Sequence, residues 1–203
     1  MKLKNIYFIW AHPRPDSLTA QVVDEMQSEA ARQGYNASSL DLYRSHFDPI
    51  LRVEDEPDWD NPQKTYSEEV HRLFNELEDK DILVLVFPVW WYAFPAILKG
   101  YLERVWNYGL AYGEGSGLKD KKIRWLALVG GSQSGFIKYG WEKNMTDYIK
   151  GSMAYLGVED ARIDFLYNTI GVEEGITDGE AHYHKLFAKA RGVVSSLRET
   201  SEA

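Results

Sequence analysis

Five short apolar runs alternate with longer helical patterns in this 203-residue chain, and no other feature restricts its fold as tightly. Strands are expected near 4–10, 36–42, 81–87, 122–129 and 161–167, and helices near 17–33, 66–78, 95–107, 137–155 and 178–198. A β-α order repeated in this way packs as a parallel sheet covered by helices. The run Asp81-Ile82-Leu83-Val84-Leu85-Val86-Phe87 has no polar alternation, as a strand covered on both faces requires, and Pro88 is expected to end its ladder. Helix signals agree with the periodicity. Asp16 or Ser17 is placed to cap the first helix and Gly34 to stop it, while Thr177 or Asp178 opens the last.

Length and composition suit one well-buried domain spanning 1–203. With 23 basic and 31 acidic residues, a net charge of −8 argues against nucleic acid or an anionic membrane surface as the main partner. The absence of cysteine excludes disulfides, thiolate catalysis, iron–sulfur clusters and cysteine-based zinc sites. Met1 to Trp10 is too short for a signal peptide and no apolar run approaches membrane-spanning length, so the expected location is the cytoplasm, without membrane insertion.

Two stretches interrupt the alternation. Residues 44–65 carry Pro49, Pro57 and Pro62, and residues 108–121 carry Gly109, Gly113, Gly115 and Gly117. Excursions of this length are expected to cover a site or a subunit contact. Asp55, Glu56, Asp58 and Asp60 read as a solvated acidic loop rather than a cation site, and His182 and His184, two apart on a helix, as poor metal partners. Residues 199–203 are expected to fray.

Chemistry concentrates in three loops after strands. The first, Trp10 to Thr19, leads into a helix whose free N–H groups, with His12, Arg14, Ser17 and Thr19, form a cradle for a phosphate; the plainer alternative is that Asp16 or Ser17 merely caps the helix. Neither a G-x-G-x-x-G nor a G-x-x-x-x-G-K-[ST] motif occurs. The second loop sets Trp90, Trp91, Tyr92 and Phe94 between an apolar strand and an amphipathic helix. Four rings there either plug the core, line a cavity or meet another subunit. The third, Gly130-Gly131-Ser132-Gln133-Ser134-Gly135, lets backbone N–H groups approach a ligand. In an open parallel sheet these loops converge on one edge, and phosphate ligands, aromatic walls and backbone donors together describe a flavin mononucleotide pocket.

On these residues the chain resembles the flavodoxin-like NAD(P)H:quinone oxidoreductases, particularly their uncharacterised bacterial members. The resemblance is carried by Ala11-His12-Pro13 with Ser17, Asp41-Leu42-Tyr43, Phe47-Asp48-Pro49-Ile50, Phe87-Pro88, Pro95-Ala96-Ile97-Leu98-Lys99-Gly100, Glu103-Arg104-Val105, Ala111-Tyr112 and Gly130-Gly131. It implies a flavodoxin-like three-layer α/β sandwich with a five-stranded parallel sheet of order 2-1-3-4-5. It also implies a flavin, FAD with FMN as the alternative, and a homodimer. Positions matching His12, Ser17, Leu18 and Thr19 surround the flavin phosphate in that family. Those matching Pro88, Val89, Trp90, Trp91 and Tyr92 run along the isoalloxazine, and those matching Gly130 and Gly131 offer N–H groups near N1 and O2. Preorganised donors at that point stabilise the charge of the reduced ring.

Two departures stand out. Phe136 and Glu142 occupy positions where mammalian quinone reductase has a tyrosine and a histidine, leaving Tyr139 as the candidate substitute, and Trp90 stands where that enzyme has glutamine. The implied activity is hydride transfer from NADH or NADPH to flavin N5 and on, by ping-pong, to a quinone, nitroaromatic or similar flat acceptor. Trp91, Tyr92, Gly130, Gly131 and Tyr139 are its candidate catalytic positions. The rival readings are a flavin-binding regulatory subunit of a potassium-efflux transporter and a one-electron carrier. Residues 58–70 are the expected adenosine surface if the flavin is FAD.

Overall fold

The computed structural model describes residues 4–61, 63–113, 117–173 and 175–198. Five parallel strands, β1 (Asn5–Trp10), β2 (Asn36–Asp41), β3 (Ile82–Pro88), β4 (Lys122–Leu128) and β5 (Ala161–Leu166), pair in the order β2-β1-β3-β4-β5. The fold is flavodoxin-like, as the resemblance implies. Every residue of β3 is buried, and its alternate side chains feed two cores. Leu83, Leu85 and Phe87 join the core beneath α2 (Glu68–Glu78), α3 (Ala96–Val105) and α5 (Trp141–Tyr155). Ile82, Val84 and Val86 join the core beneath α1 (Leu18–Arg32) and α6 (Gly179–Ser195). That is why this strand reads as an unbroken apolar run whereas β2, at the sheet edge, reads Asn-Ala-Ser-Ser-Leu-Asp.

Most expected boundaries stand within two residues. Ser17 caps α1, its Oγ accepting from the Ala20 N–H at 3.2 Å; Gly34, at φ 78°, lies just past the helix end, and Asp178 caps α6. β3 ends at Pro88, as expected, with Pro88 itself paired to Leu128 and the Val89 N–H donating to the Leu128 carbonyl at 2.8 Å, because a proline at a strand end loses only its own donor. One expectation is corrected. The helix expected near 137–155 is two helices, α4 (Gln133–Lys138) and α5, broken where Gly140 adopts φ 75°.

The 44–65 excursion is a strap fastened to α3. Asp55 is sealed from solvent, and its carboxylate receives Arg104 Nη2 at 2.7 Å, the Ser67 N–H at 2.8 Å and the Ser67 hydroxyl at 3.0 Å. Arg104 also meets Glu69 at 2.7 Å and donates to the Asp48 carbonyl, while Asn107 Nδ2 holds the Asp55 carbonyl at 2.6 Å. The expected solvated acidic loop is therefore wrong for Asp55, because a cation from α3 lies opposite it. Pro49 sits directly on Gly100, where an added Cβ would fall 2.2 Å from the Pro49 carbonyl oxygen. Within these two excursions Pro62 and Gly115 lie outside the described residues, as do residues 199–203, on which fraying was expected.

Candidate functional site

The loops after β1, β3 and β4 meet at the carboxyl edge of the sheet around a cleft of about 740 Å³. His12, Arg14, Leu18 and Thr19 line one end, Pro88, Val89 and Trp90 one side, and Gly130 the floor towards β4. Ser17 and Thr19 are buried, and the Ser17 oxygen is already the acceptor that caps α1, so the plainer reading of that residue is also true. Ser17 does not itself line the cleft, whereas Leu18 and Thr19 do, and the helix leaves their N–H groups without an intrahelical acceptor. His12 Nδ1 accepts the Arg14 N–H at 3.1 Å, which leaves Nε2 to carry the proton of the neutral ring. Burial pushes the His12 pKa below its ordinary value, and the charges of Arg14 and Arg44 push the same way.

A second pocket of about 470 Å³ adjoins the cleft and shares Val89 and Gly130 with it. Gly131, Phe136, Tyr139 and Trp141 line it together with Trp91 and Tyr92. An added Cβ on Gly131 would meet nothing within 4 Å, so its backbone fronts open space; on Gly130 the nearest atom is the flexible end of Ile170 at 2.8 Å. Phe136 is buried among Phe165 and Tyr167, while Tyr139, at the end of α4, is 66% exposed.

The aromatic loop resolves into separate jobs. Trp90 and Ala93 exchange backbone bonds at 3.2 and 3.1 Å, closing a two-residue turn with Trp91 at φ 50° and Tyr92 at φ 59°. Two bulky residues in the left-handed region are costly, and such outliers collect where geometry serves function. These turn bonds employ the amides of Trp90 and Ala93, not those of Trp91 and Tyr92. Trp91 projects from the tip, 96% exposed, so of the expected aromatic walls this ring is bared to solvent although it borders the second pocket. Tyr92 lies flat on Trp141, centroids 4.1 Å apart and planes 11° from parallel. Phe94 packs on Phe87 and Trp125 as core, and Trp90 leans towards His12 with ring centroids 5.8 Å apart.

Glu142, which the resemblance sets against a histidine of mammalian quinone reductase, accepts the Tyr167 hydroxyl; burial first, then this bond, raises that tyrosine's pKa well above the ordinary value. His184 reaches the cleft rim from α6, and His182 Nε2 meets the Asn168 carbonyl at 2.9 Å; among the described residues no group of three His, Cys, Asp or Glu could hold a metal ion. The described residues of 58–70 do not line the cleft, which Thr169, Ile170, Glu180, Tyr183 and Phe187 line instead. The sequence reading missed these residues and Trp141. Only Gly140, as a helix breaker, signalled that Trp141 starts a new helix; the α6 residues carried no local signal.

A parallel sheet of order 2-1-3-4-5, with a cleft at its carboxyl edge beside β1 and β3, is the α/β architecture in which ligands lie at the topological switch point. A family model described as flavodoxin-like fold matches residues 4–189. The chain is 50% identical over 201 residues to an uncharacterised NAD(P)H oxidoreductase, YcaK, of Escherichia coli, covering 97% of this chain and 100% of that one. It is 27% identical over 157 residues to ribosyldihydronicotinamide dehydrogenase [quinone] of Pongo abelii, covering 68% of each. Among solved structures, an NAD(P)H:quinone oxidoreductase from Methanothermobacter marburgensis superposes with a TM-score of 0.83 at 23% identity over 97% of both chains. An FMN-dependent NADH-azoreductase from Bacillus anthracis, solved with FMN, gives 0.70 at 17% identity over 96% of this chain and 99% of that one. The chain belongs to the flavodoxin-like family of NAD(P)H:quinone oxidoreductases, a family of enzymes.

Proposed function

We propose that this chain, acting as a single flavin-binding domain over 1–203, is a flavin-dependent NAD(P)H oxidoreductase of quinone-reductase type. The observation that carries this reading is the joining of the two cavities at Val89 and Gly130, an anion-receiving cleft opening into an aromatic pocket. The open space before Gly131 fits a flat ring brought against the backbone. Bound there, the flavin would supply two-electron chemistry, taking hydride from NADH or NADPH and passing it, in ping-pong order, to a quinone, nitroaromatic or similar flat acceptor.

The chain's own residues do the rest. Ser17, Leu18 and Thr19 offer N–H and hydroxyl donors to the phosphate, His12 adds its Nε2–H, and Arg14 supplies charge at the rim. Pro88, Val89 and Trp90 lie along the ring, and the Trp91 and Tyr92 amides, unused by the turn, are donors for its edge. Gly130 and Gly131 N–H groups hold developing negative charge without reorganising. Phe136 excludes water from the inner end of the pocket, and the Tyr139 hydroxyl holds a proton at its mouth. The Trp91 and Tyr92 rings orient the acceptor.

FAD is favoured over FMN because the cleft also presents Ile170, Tyr183 and Phe187, an apolar surface on which an adenine can pack. A homodimer is supported by exposed aromatics away from the cleft, where Trp59, 59% exposed, lies 4.9 Å from Tyr108 and 5.8 Å from Tyr112. We place the protein in the cytoplasm; among the described residues no helix is long and apolar enough to cross a membrane. The relatives are named as oxidoreductases, which favours the enzyme over a transporter's regulatory subunit. The test is the visible spectrum of the purified protein after reconstitution, with mass spectrometry of the released cofactor. Failure to bind flavin, or bound flavin that neither NADH nor NADPH bleaches, would sink the reading.

A further inference from the structure

Behind the Tyr92–Trp141 stack lies a third cavity, about 310 Å³, that the proposed reaction does not use. Its walls are Tyr92, Phe94, Trp141, Met145 and Tyr148, with Ala93 of the turn at the rim. Its volume falls within the roughly 300–1,000 Å³ of pockets that hold small organic molecules. Polar groups stand only at its edge, where the exposed Asn144 faces solvent and the Lys99 ammonium is engaged by Glu103 at 2.6 Å, so the aromatic and Met145 walls ask for a ligand that is mostly carbon. Tyr92 and Trp141 line both this cavity and the pocket in front, so the two spaces are divided by one pair of stacked rings. The turn carrying Tyr92 is held by two backbone bonds, and Trp141 is the first residue of α5, next to the left-handed Gly140.

We propose that this cavity is a second subsite of the same centre, which takes the alkyl or prenyl tail of an acceptor whose ring lies in the pocket in front. The proposal rests on the oxidoreductase reading of that front pocket. A saturated chain meets its requirements: it buries carbon against carbon, it needs no donor, and it can pass the edge of the Tyr92 ring from one space to the other. A ring with no tail would leave the cavity to water that finds few partners there. Each methylene entering it strengthens binding by about three- to four-fold, so a short tail separates tailed from tail-less acceptors by two orders of magnitude or more.

The test uses the purified, reconstituted protein and a ladder of 4-alkylphenols, which bind without turning over, followed by equilibrium dialysis and tryptophan fluorescence. Affinity is expected to climb with each methylene and then to level off when the cavity is full. Met145→Trp fills the cavity from below and Ala93→Leu from the rim; in either variant the levelling is expected at a shorter chain. An affinity without chain-length dependence, or a slope identical in wild type and both variants, overturns the subsite. In steady-state assays a benzoquinone with an alkyl tail is expected to show a lower KM than its tail-less parent at similar kcat, with the ratio collapsing in the variants; equal KM values in the wild type overturn it. Turnover of neither quinone, beside chain-length-dependent binding that the variants truncate, would overturn the oxidoreductase reading while upholding the apolar subsite.

Discussion

Arg104 Nη2 lies 2.7 Å from Asp55 Oδ2 with both side chains shut away from solvent, so a residue of α3 holds the strap that crosses it. Removing one partner of such a pair strands the other's charge in the interior. Asp55→Ala is therefore expected to lower stability by about 3–5 kcal/mol, read as a shift in denaturant midpoint at unchanged slope. Arg104→Ala should cost a similar amount, and the double variant less than the sum, since each removes the same interaction.

The same pair sets a pH dependence. Burial raises the Asp55 carboxyl, but the Ser67 amide, the Arg104 guanidinium and the Ser67 hydroxyl outweigh it and hold the group below the ordinary aspartate value. A depressed folded pKa contributes stability that is complete above the unfolded value of about 4 and is lost as pH falls through the folded one. Stability is thus expected to decline as pH drops below about 4, and to decline less steeply in Asp55→Asn. Thermal midpoints measured across this range check the sign, and equal slopes in the two proteins would count against it.

Gly100→Ala places a methyl group 2.2 Å from the Pro49 carbonyl oxygen, a backbone atom that cannot turn aside. A loss of about 1–3 kcal/mol is expected from the overpacking, with helix propensity, which favours alanine, pulling the other way. Calorimetry of the variant decides which effect dominates.

Trp91→Gly relieves a left-handed backbone at a position where the ring is 96% exposed. The fold is expected to keep or gain stability, by up to about 1 kcal/mol, while turnover with flat acceptors falls because the orienting ring is gone. A variant less stable than the parent would show that the ring holds the turn.

Gly131→Ala tests the backbone donors. An added methyl meets no protein atom within 4 Å, so the melting temperature of the flavin-free protein is expected to be unchanged. The methyl would, however, occupy the space proposed for the flavin, and flavin affinity, measured by fluorescence titration, should drop by at least an order of magnitude. Loss of stability with affinity intact would contradict the assignment.

Much of this molecule is local chemistry that can be read in order along the chain. The all-apolar 82–87 stretch announces a strand covered on both faces, Ser17 and Asp178 announce helix starts, and the His12, Pro88 and Gly130 loops announce one functional edge, because parallel strands must all point their carboxyl ends the same way. What the tertiary structure decided is everything that depends on a partner distant in sequence. Asp55 reads as one more loop carboxylate until Arg104, 49 residues later, is packed against it. Trp141 reads as mid-helix until Gly140 turns left-handed and Tyr92 settles on its face. The α6 wall of the cleft needed that helix to return beside α1 through the sheet's crossovers. Periodicity, capping and glycine conformation act over a few residues and so are written in the sequence; charge pairing, ring stacking and cavity walls act through space, and only the packed chain reveals them.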